Sequence, residues 1–381
     1  MEMIGKGPGV KGAVWVAVRI PDDCIAAHAN QSRIHQFNLN DKENCLYAPD
    51  VISFAREKGY FSGANKDFSF ADAYCPLDFS GLRFCEARVW SYYNMFSKAT
   101  GQAYLSYIQG DSKEPMPLYV KPDQKVSVRD IQRAMRDHYE GTALDITKDM
   151  GAGAFNMPYR LSPLTFKVDG VEYFNERPIS TQQTAFTFVA QMRANLPDVV
   201  GGVLWFGLDD ANMTVFTPVY CNTNQVPDVY AEGNGDCVTF SWNSAFWIYN
   251  WVADMIRPRY SLMVSDMQQV QNELEDLYAN AQEGVEATAM KLYQQDPLKA
   301  RDFLTRYTAM TAKDAVDSWK KLGEFLIVRY NDGAVKRVKN GRIVPPETGN
   351  CAPLDRPGYS QEFLQELIKA TGDRYKMKEL K

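Results

Sequence analysis

Two of the three histidines in this chain, His28 and His35, sit seven positions apart in "HANQSRIH". Such a pair could open a metal site, mark a catalytic corner, or simply end a strand. A metal site needs further ligands at usable spacing, and neither H-E-x-x-H nor H-x-x-E-H occurs. The remaining histidine, His138, falls at a helix end beside Asp137 and Glu140, where its positive form would complement the helix dipole. Seven cysteines, at 24, 45, 75, 85, 221, 237 and 351, form no C-x-x-C pair, so neither a zinc ribbon nor a disulfide scaffold is indicated. No metal or other cofactor is expected.

Phosphate chemistry fares no better. "GKGPGVKG" (5–12) lacks the order of a P-loop, and "GAGAFN" follows a loop rather than a strand. No G-x-S-x-G elbow is present for a hydrolase serine. Two polar residues keep chemical interest. Asn30 follows an apolar strand, and its short amide could donate to a developing oxyanion; it also suits an ordinary turn. Arg177, in "NERPISTQQTAF", could hold a carboxylate or lower the pKa of a thiol; it could also form a surface ion pair with Glu176 or Glu172.

The elements that must position these residues come from 381 residues with a net charge of −5 and 13% aromatic side chains. The acidic balance excludes the basic stripe that nucleic acid requires. No apolar run is long enough to span a membrane, and "MEMIGKGPGVKG" is no signal peptide. A soluble protein is expected, cytoplasmic by default, with a secreted or periplasmic site left open by whatever precedes Met1.

"GAVWVAVRI" (12–20) reads as a strand apolar on both faces, paired through a turn at Pro21–Asp23 with "CIAAHAN". Helices are expected over "APDVISFAREKGYF" with Asp50 as N-cap, over 81–96, and from Ser127 to just before Gly141 behind a Ser127/Asp130 capping box. Another is expected over "STQQTAFTFVAQMRANLP", capped by Ser180 and Gln183. Hairpins are expected at Asp169–Gly170 and Asp332–Gly333, and strands over 199–208 and "TVFTPVY". After Tyr260, Met263, Met267, Val270, Leu274, Leu277 and Ala281 recur at helical spacing, and a second helix follows Pro297. A short helix over "SQEFLQELIKATG" closes the pattern. The fold class is α+β. The expected organisation is a body over 1–260, a helical hairpin over 261–325, and a hairpin, irregular tail and short helix over 326–381.

The stretches "KGAVWVAVRIPDDCIAAHANQSRI", "HYEGTALDITKDMGAGAFNMPYR", "ERPISTQQTAFTFVAQMRANLPDVVGGVLWFG" and "WNSAFWIYNWVADMIRPRYSLMV" resemble the C69 family of bacterial dipeptidases, in that family's order. The resemblance implies an N-terminal-nucleophile hydrolase with an αββα sandwich of two stacked antiparallel sheets. It implies a cysteine nucleophile at the head of the mature chain, its α-amine acting as general base, and dipeptides or short peptides as substrates. It implies Asn30 as oxyanion donor and Arg177 near the nucleophile, with Arg160 and Arg193 as nearby competitors. It also implies that the nucleophile-bearing N-terminal segment is missing, since Cys24 lies inside the chain. The sandwich is then incomplete at its N-terminus, and the chain inactive alone. A non-catalytic scaffold or peptide-binding remnant, an amide acylase and a homo-oligomer all remain open.

Overall fold

The computed structural model describes residues 1–349 and 352–379, so Cys351 lies outside the described residues. The chain divides into two compact units: Met1–Asp130 with Ser162–Ile179, and Ile131–Leu161 with Ser180–Lys381. Both mix helix and sheet, in keeping with the α+β expectation.

The first unit is built on an antiparallel sheet of β1 (Glu2–Gly5), β2 (Ala13–Val18) and β4 (Cys45–Tyr47), with β2 central. The β1–β2 loop is the glycine-rich "KGPGVKG", closed by the Lys6 amide on the Gly12 carbonyl. It turns the hairpin between β1 and β2. Val14 and Val16 are fully buried, and Ile34, Val51, Phe54, Phe68 and Phe70 complete this core. The opposite face of β2, carrying Ala13, Trp15 and Ala17, is only half-covered, so burial on both faces is corrected to burial on one.

The expected hairpin at Pro21–Asp23 is also corrected. β3 (Ile25–Ala26) pairs with β5 (Tyr119–Val120), and β2 takes β1 as its hairpin partner. Local turn chemistry could not reveal that a strand lay upstream of β2. The helix Val51–Glu57 stops at Gly59 (φ +72°) as expected. The predicted helix over 81–96 forms, but its first turn, Leu82–Glu86, is π-wound before α geometry sets in over Ala87–Phe96. A π turn widens the helix and re-aims its side chains, a distortion frequent at functional sites. β6 (Thr165–Val168) and β7 (Val171–Phe174) form the expected hairpin, with Asp169 and Gly170 both at positive φ.

The helix opened by the Ser127/Asp130 box covers only Val128–Ala134. Tyr139 takes φ +67°, and Glu140 accepts the His138 amide at 2.7 Å, which turns the chain out of helical geometry well before Gly141.

In the second unit, the expected helix over 180–197 is a strand, β8 (Phe186–Met192), at the edge of an antiparallel sheet with β9 (Gly202–Leu208) and β10 (Thr217–Tyr220). The alternation explains it: Thr187 and Val189 are buried, whereas Phe186, Phe188, Ala190 and Met192 are exposed, a period of two. Ser180 caps no helix and instead donates to Asp210 Oδ1 at 2.6 Å.

Ala245–Ile256 forms a helix apolar nearly all round, as befits one sunk in a core. The helices Tyr260–Gln295 and Pro297–Tyr330 pair as an antiparallel hairpin, the second capped by Asp296, whose carboxylate accepts the Leu298 amide at 2.9 Å. The turn at Asp332–Gly333 ends that helix and makes no hairpin. Val335–Lys336 pairs with Leu354–Asp355, and the hairpin lies over Asn340–Gly341. The last helix, Gln361–Thr371, forms behind Ser360.

Gly323 lets the indole of Trp251 lie on the second long helix; a Cβ there would overlap the ring. Alanine would gain about 1 kcal/mol of helix propensity, but overpacking typically costs about 1–3 kcal/mol. Gly323→Ala is therefore expected to lower the urea midpoint, and an unchanged or raised midpoint would show that the ring yields freely.

Candidate active site

Asn30 ends the segment after β3 and holds φ +63°, a left-handed conformation that asparagine tolerates better than most residues. Its loop is fastened from below by Glu2 of β1. That buried carboxylate accepts the Arg33 amide at 2.7 Å, the Ile34 amide at 3.0 Å and the Ser32 hydroxyl, and it meets His28 Nε2 at 3.1 Å. Burial alone would raise the Glu2 pKa, but the hydrogen bonds from His28, Ser32 and Arg33 outweigh it and leave the carboxyl below its ordinary value. On the far side, the amides of Phe70 and Ala71 donate to the His35 and Ile34 carbonyls.

His28 is thus part of the loop's fastening. His35 lies 3.3 Å from both Ser69 Oγ and Asp72 Oδ1. The fully buried His138 pairs with Glu140 at 2.9 Å in the second unit. Among the described residues, no three His, Cys, Asp or Glu side chains gather as a metal-binding group.

Arg88 orients Asn30. From the helix Ala87–Phe96 its Nη2 donates to Asn30 Oδ1 at 2.9 Å and to the Ala29 carbonyl at 3.3 Å, while its Nε donates to the Phe84 carbonyl at 2.6 Å. With the amide oxygen engaged, the Nδ2 hydrogens of this exposed side chain are the free donors. One helical turn before Arg88 lies the half-buried thiol of Cys85. Burial pushes its pKa up, and the guanidinium groups of Arg88 and Arg177 oppose that rise. Arg88, which holds Asn30, and Arg177 thus both act electrostatically on the Cys85 thiol. Glu176, the suggested partner of Arg177, lies 3.5 Å from Arg83, whose guanidinium stacks over the Phe174 ring. Arg160 and Arg193 belong to the second unit, paired with Asp149 and Glu286.

Arg88 and Cys85 were not singled out from sequence. Their three-residue spacing on a predicted helix was the available signal, since it puts both on one face. Equally unforeseen is Arg33, whose Nε lies 2.9 Å from Glu86 Oε1 deep in the unit. Beside this pair a cavity of about 250 Å³ opens, lined in part by Gln31, Ser32, His35, Glu86 and Tyr107. Cys24, Cys45, Cys75, Cys85, Cys221 and Cys237 are free thiols. Among the described residues, no helix is long and apolar enough to cross a membrane.

An amide donor held by a guanidinium group suits the stabilisation of negative charge on a reacting group. Comparison with known proteins finds similarity to proteins named dipeptidases. A probable dipeptidase of Salmonella dublin is 28% identical over 209 residues, 55% of this chain and 42% of the relative. A probable dipeptidase of Latilactobacillus sakei is 25% identical over 253 residues, 66% of this chain and 47% of the relative. Dipeptidase A of Lactobacillus helveticus is 22% identical over 269 residues, 71% of this chain and 49% of the relative. The chain thus spans about half the length of the curated relatives it matches. The sequence profile of peptidase family C69 matches residues 1–273, and the chain belongs to that family.

Proposed function

We propose that this chain carries the oxyanion-stabilising part of a dipeptidase. In the full reaction an N-terminal cysteine attacks the peptide carbonyl, and its own α-amine takes the thiol proton and passes it to the leaving amine. Water then hydrolyses the thioester. Asn30 Nδ2 donates to the oxyanion, and Arg177 supports the thiolate or the substrate carboxylate. The observation that carries this reading is the setting of Asn30, whose oxygen accepts from Arg88, itself one of two guanidinium groups that act on the Cys85 thiol. The fold is proposed as that of an N-terminal-nucleophile hydrolase, and the substrates as dipeptides or short peptides.

The reading requires a cysteine at the head of the mature chain, so dipeptide turnover should depend on a cysteine-led segment. Mass spectrometry of released amino acids would check that, first on the chain alone and then on a preparation supplied with a cysteine-led segment ahead of Met1. In the active preparation Asn30→Ala should lower kcat by about 10²–10³-fold with little change in KM. Turnover by the chain alone that is lost in Cys85→Ser would move the nucleophile to Cys85 and sink the N-terminal-cysteine reading. Peptide binding without cleavage in every preparation would favour a non-catalytic scaffold, and cleavage of N-acyl amides in place of dipeptides would favour an acylase.

A further inference from the structure

The cavity beside the Asn30 loop has a wall that the hydrolytic reading does not use. Glu86 is 4% exposed and lines it, as does Tyr107, also 4% exposed. A buried carboxylate has about four acceptor positions and usually fills several of them. Among the described residues, Glu86 meets one donor group, the Arg33 guanidinium through Nε at 2.9 Å. The other guanidinium nitrogens are committed elsewhere. Nη1 donates to the Ala27 carbonyl at 3.0 Å and the Tyr93 hydroxyl at 3.1 Å, and Nη2 to the Pro117 carbonyl at 3.0 Å. Arg33 is thus a fixed strut that cannot swing to satisfy the rest of Glu86.

Burial, reinforced by the Glu86 charge, pushes the Tyr107 phenol up, so it stays a neutral hydroxyl able to accept a hydrogen bond. At the rim, Lys113 supplies an exposed positive charge, and His35 and Asp72 pair with each other at 3.3 Å. The wall is therefore acceptor-rich at Glu86, while one edge is cationic. A compact group with several N–H donors fits the wall, and a carboxylate fits the rim. A divalent cation does not, because no third metal-ligating side chain joins the cluster among the described residues.

We infer that this cavity receives the primary ammonium group of a small zwitterion, an amino acid or the N-terminal residue of a short peptide, through Glu86 and Tyr107, with Lys113 meeting its carboxylate. A volume of about 250 Å³ admits a ligand of that size and little more. The inference deepens the dipeptidase reading, on which the peptide source rests, but the receptor itself works without turnover. An enzyme that must accept dipeptides and refuse internal peptide bonds needs such a charge reader. A buried carboxylate whose remaining acceptor positions go unfilled rejects a blocked amine more strongly than a mismatched apolar pocket would.

Calorimetric titration of the 381-residue chain near neutral pH tests it, with L-alanyl-L-alanine, its N-acetyl derivative and L-alanine as probes. The dipeptide should bind, and N-acetylation should weaken binding by about tenfold or more. Glu86→Gln should cost a similar factor, and Lys113→Met should weaken both unblocked probes. Should Glu86→Gln not fold, Tyr107→Phe removes one hydroxyl and should still weaken the dipeptide several-fold. Tighter binding of alanyl-alanine than of alanine supports a peptide source; equal binding supports a free amino acid in the same receptor. Equal binding of the N-acetyl derivative, no binding of any probe, or variants that bind as the parent chain does would overturn the proposal. Discriminating binding with no turnover in any preparation would leave the receptor standing and remove the dipeptidase reading. Cleavage by an active preparation that ignores N-acetylation would do the reverse.

Discussion

Arg33→Met should cost the protein about 3–5 kcal/mol of stability, the usual penalty for breaking a buried ion pair from one side. Arg33 is 3% exposed and joins the Ala27 segment to the Met116–Leu118 segment through main-chain carbonyls, while its Nε holds Glu86. Methionine fills much of the same volume but returns none of these donors. The Met116 carbonyl would be left buried and unpaired, the Ala27 and Pro117 carbonyls would lose their donors, and Glu86 would be a charge without its cation. Burial already raises the Glu86 pKa in spite of Arg33. In the variant it rises further, so Glu86 escapes part of the penalty by taking a proton. A carboxyl whose folded pKa lies above its unfolded value of 4.5 weakens the fold as pH climbs from that value through the folded one. The loss should therefore be smaller near pH 5 than near pH 8. Urea unfolding at both pH values reads this directly. Adding Glu86→Gln should recover only the charge-dependent part, because the carbonyls stay unpaired. Full recovery would mean that the carbonyl contacts contribute nothing, and a pH-independent loss would remove Glu86 from the account.

These partners show where sequence reading reached and where it stopped. Asn30 could be nominated because a short amide after an apolar strand is a local pattern, and its left-handed turn is what the structure adds. The long helices were legible because only a helix keeps one apolar face at that period over so many residues. β8 was misread because Ser180 and Gln183 imitate a capping box and the Phe186–Met192 run contains good helix formers; what decided it was pairing with β9, which no local window contains. Glu2 lies far along the chain from the Ser32 and Arg33 it fastens, and Arg88 is remote from the Asn30 it orients. Neither contact leaves a periodic trace. The π turn at Leu82–Glu86 is likewise invisible to a pattern built on a constant helical period, yet it is where Cys85 and Glu86 are placed. Residues that carry chemistry could be nominated one at a time, whereas those that hold them in place are defined by tertiary contact.

Asp209→Asn should stabilise the protein at pH 8 and do little at pH 4. Asp209 and Asp210 are adjacent buried carboxylates in the second unit. Asp210 Oδ1 accepts the Ser180 hydroxyl and, at 3.1 Å, the Asn212 amide. Asp209 Oδ1 accepts Asn250 Nδ2 at 3.1 Å. The shared cation is Arg257, whose Nη2 stands 3.9 Å from Asp209 and 3.8 Å from Asp210, beyond hydrogen-bond reach, while its Nη1 takes Asp254 at 2.5 Å. Burial pushes the Asp209 carboxyl up from 3.8 to about 7, with Asp210 adding to the rise and Arg257 and Asn250 only partly opposing it. The sign follows from proton binding. Below pH 4 both states hold the proton and nothing is lost. Between pH 4 and pH 7 the folded state keeps a proton that the unfolded chain has released, so stability falls as pH rises, at up to about 1.4 kcal/mol per pH unit. Above pH 7 the loss is complete and flat, with an upper bound of about 4 kcal/mol. Asparagine keeps the acceptor facing Asn250, tolerates the φ of +67° at this position, and carries no charge beside Asp210. A gain of about 1–3 kcal/mol at pH 8 is expected, shrinking to nothing by pH 4. Thermal melts across that range decide the matter. A loss at pH 8 would mean that attraction to Arg257 exceeds the cost of burying the charge, and an equal gain at both ends would mean that the benefit comes from packing rather than titration.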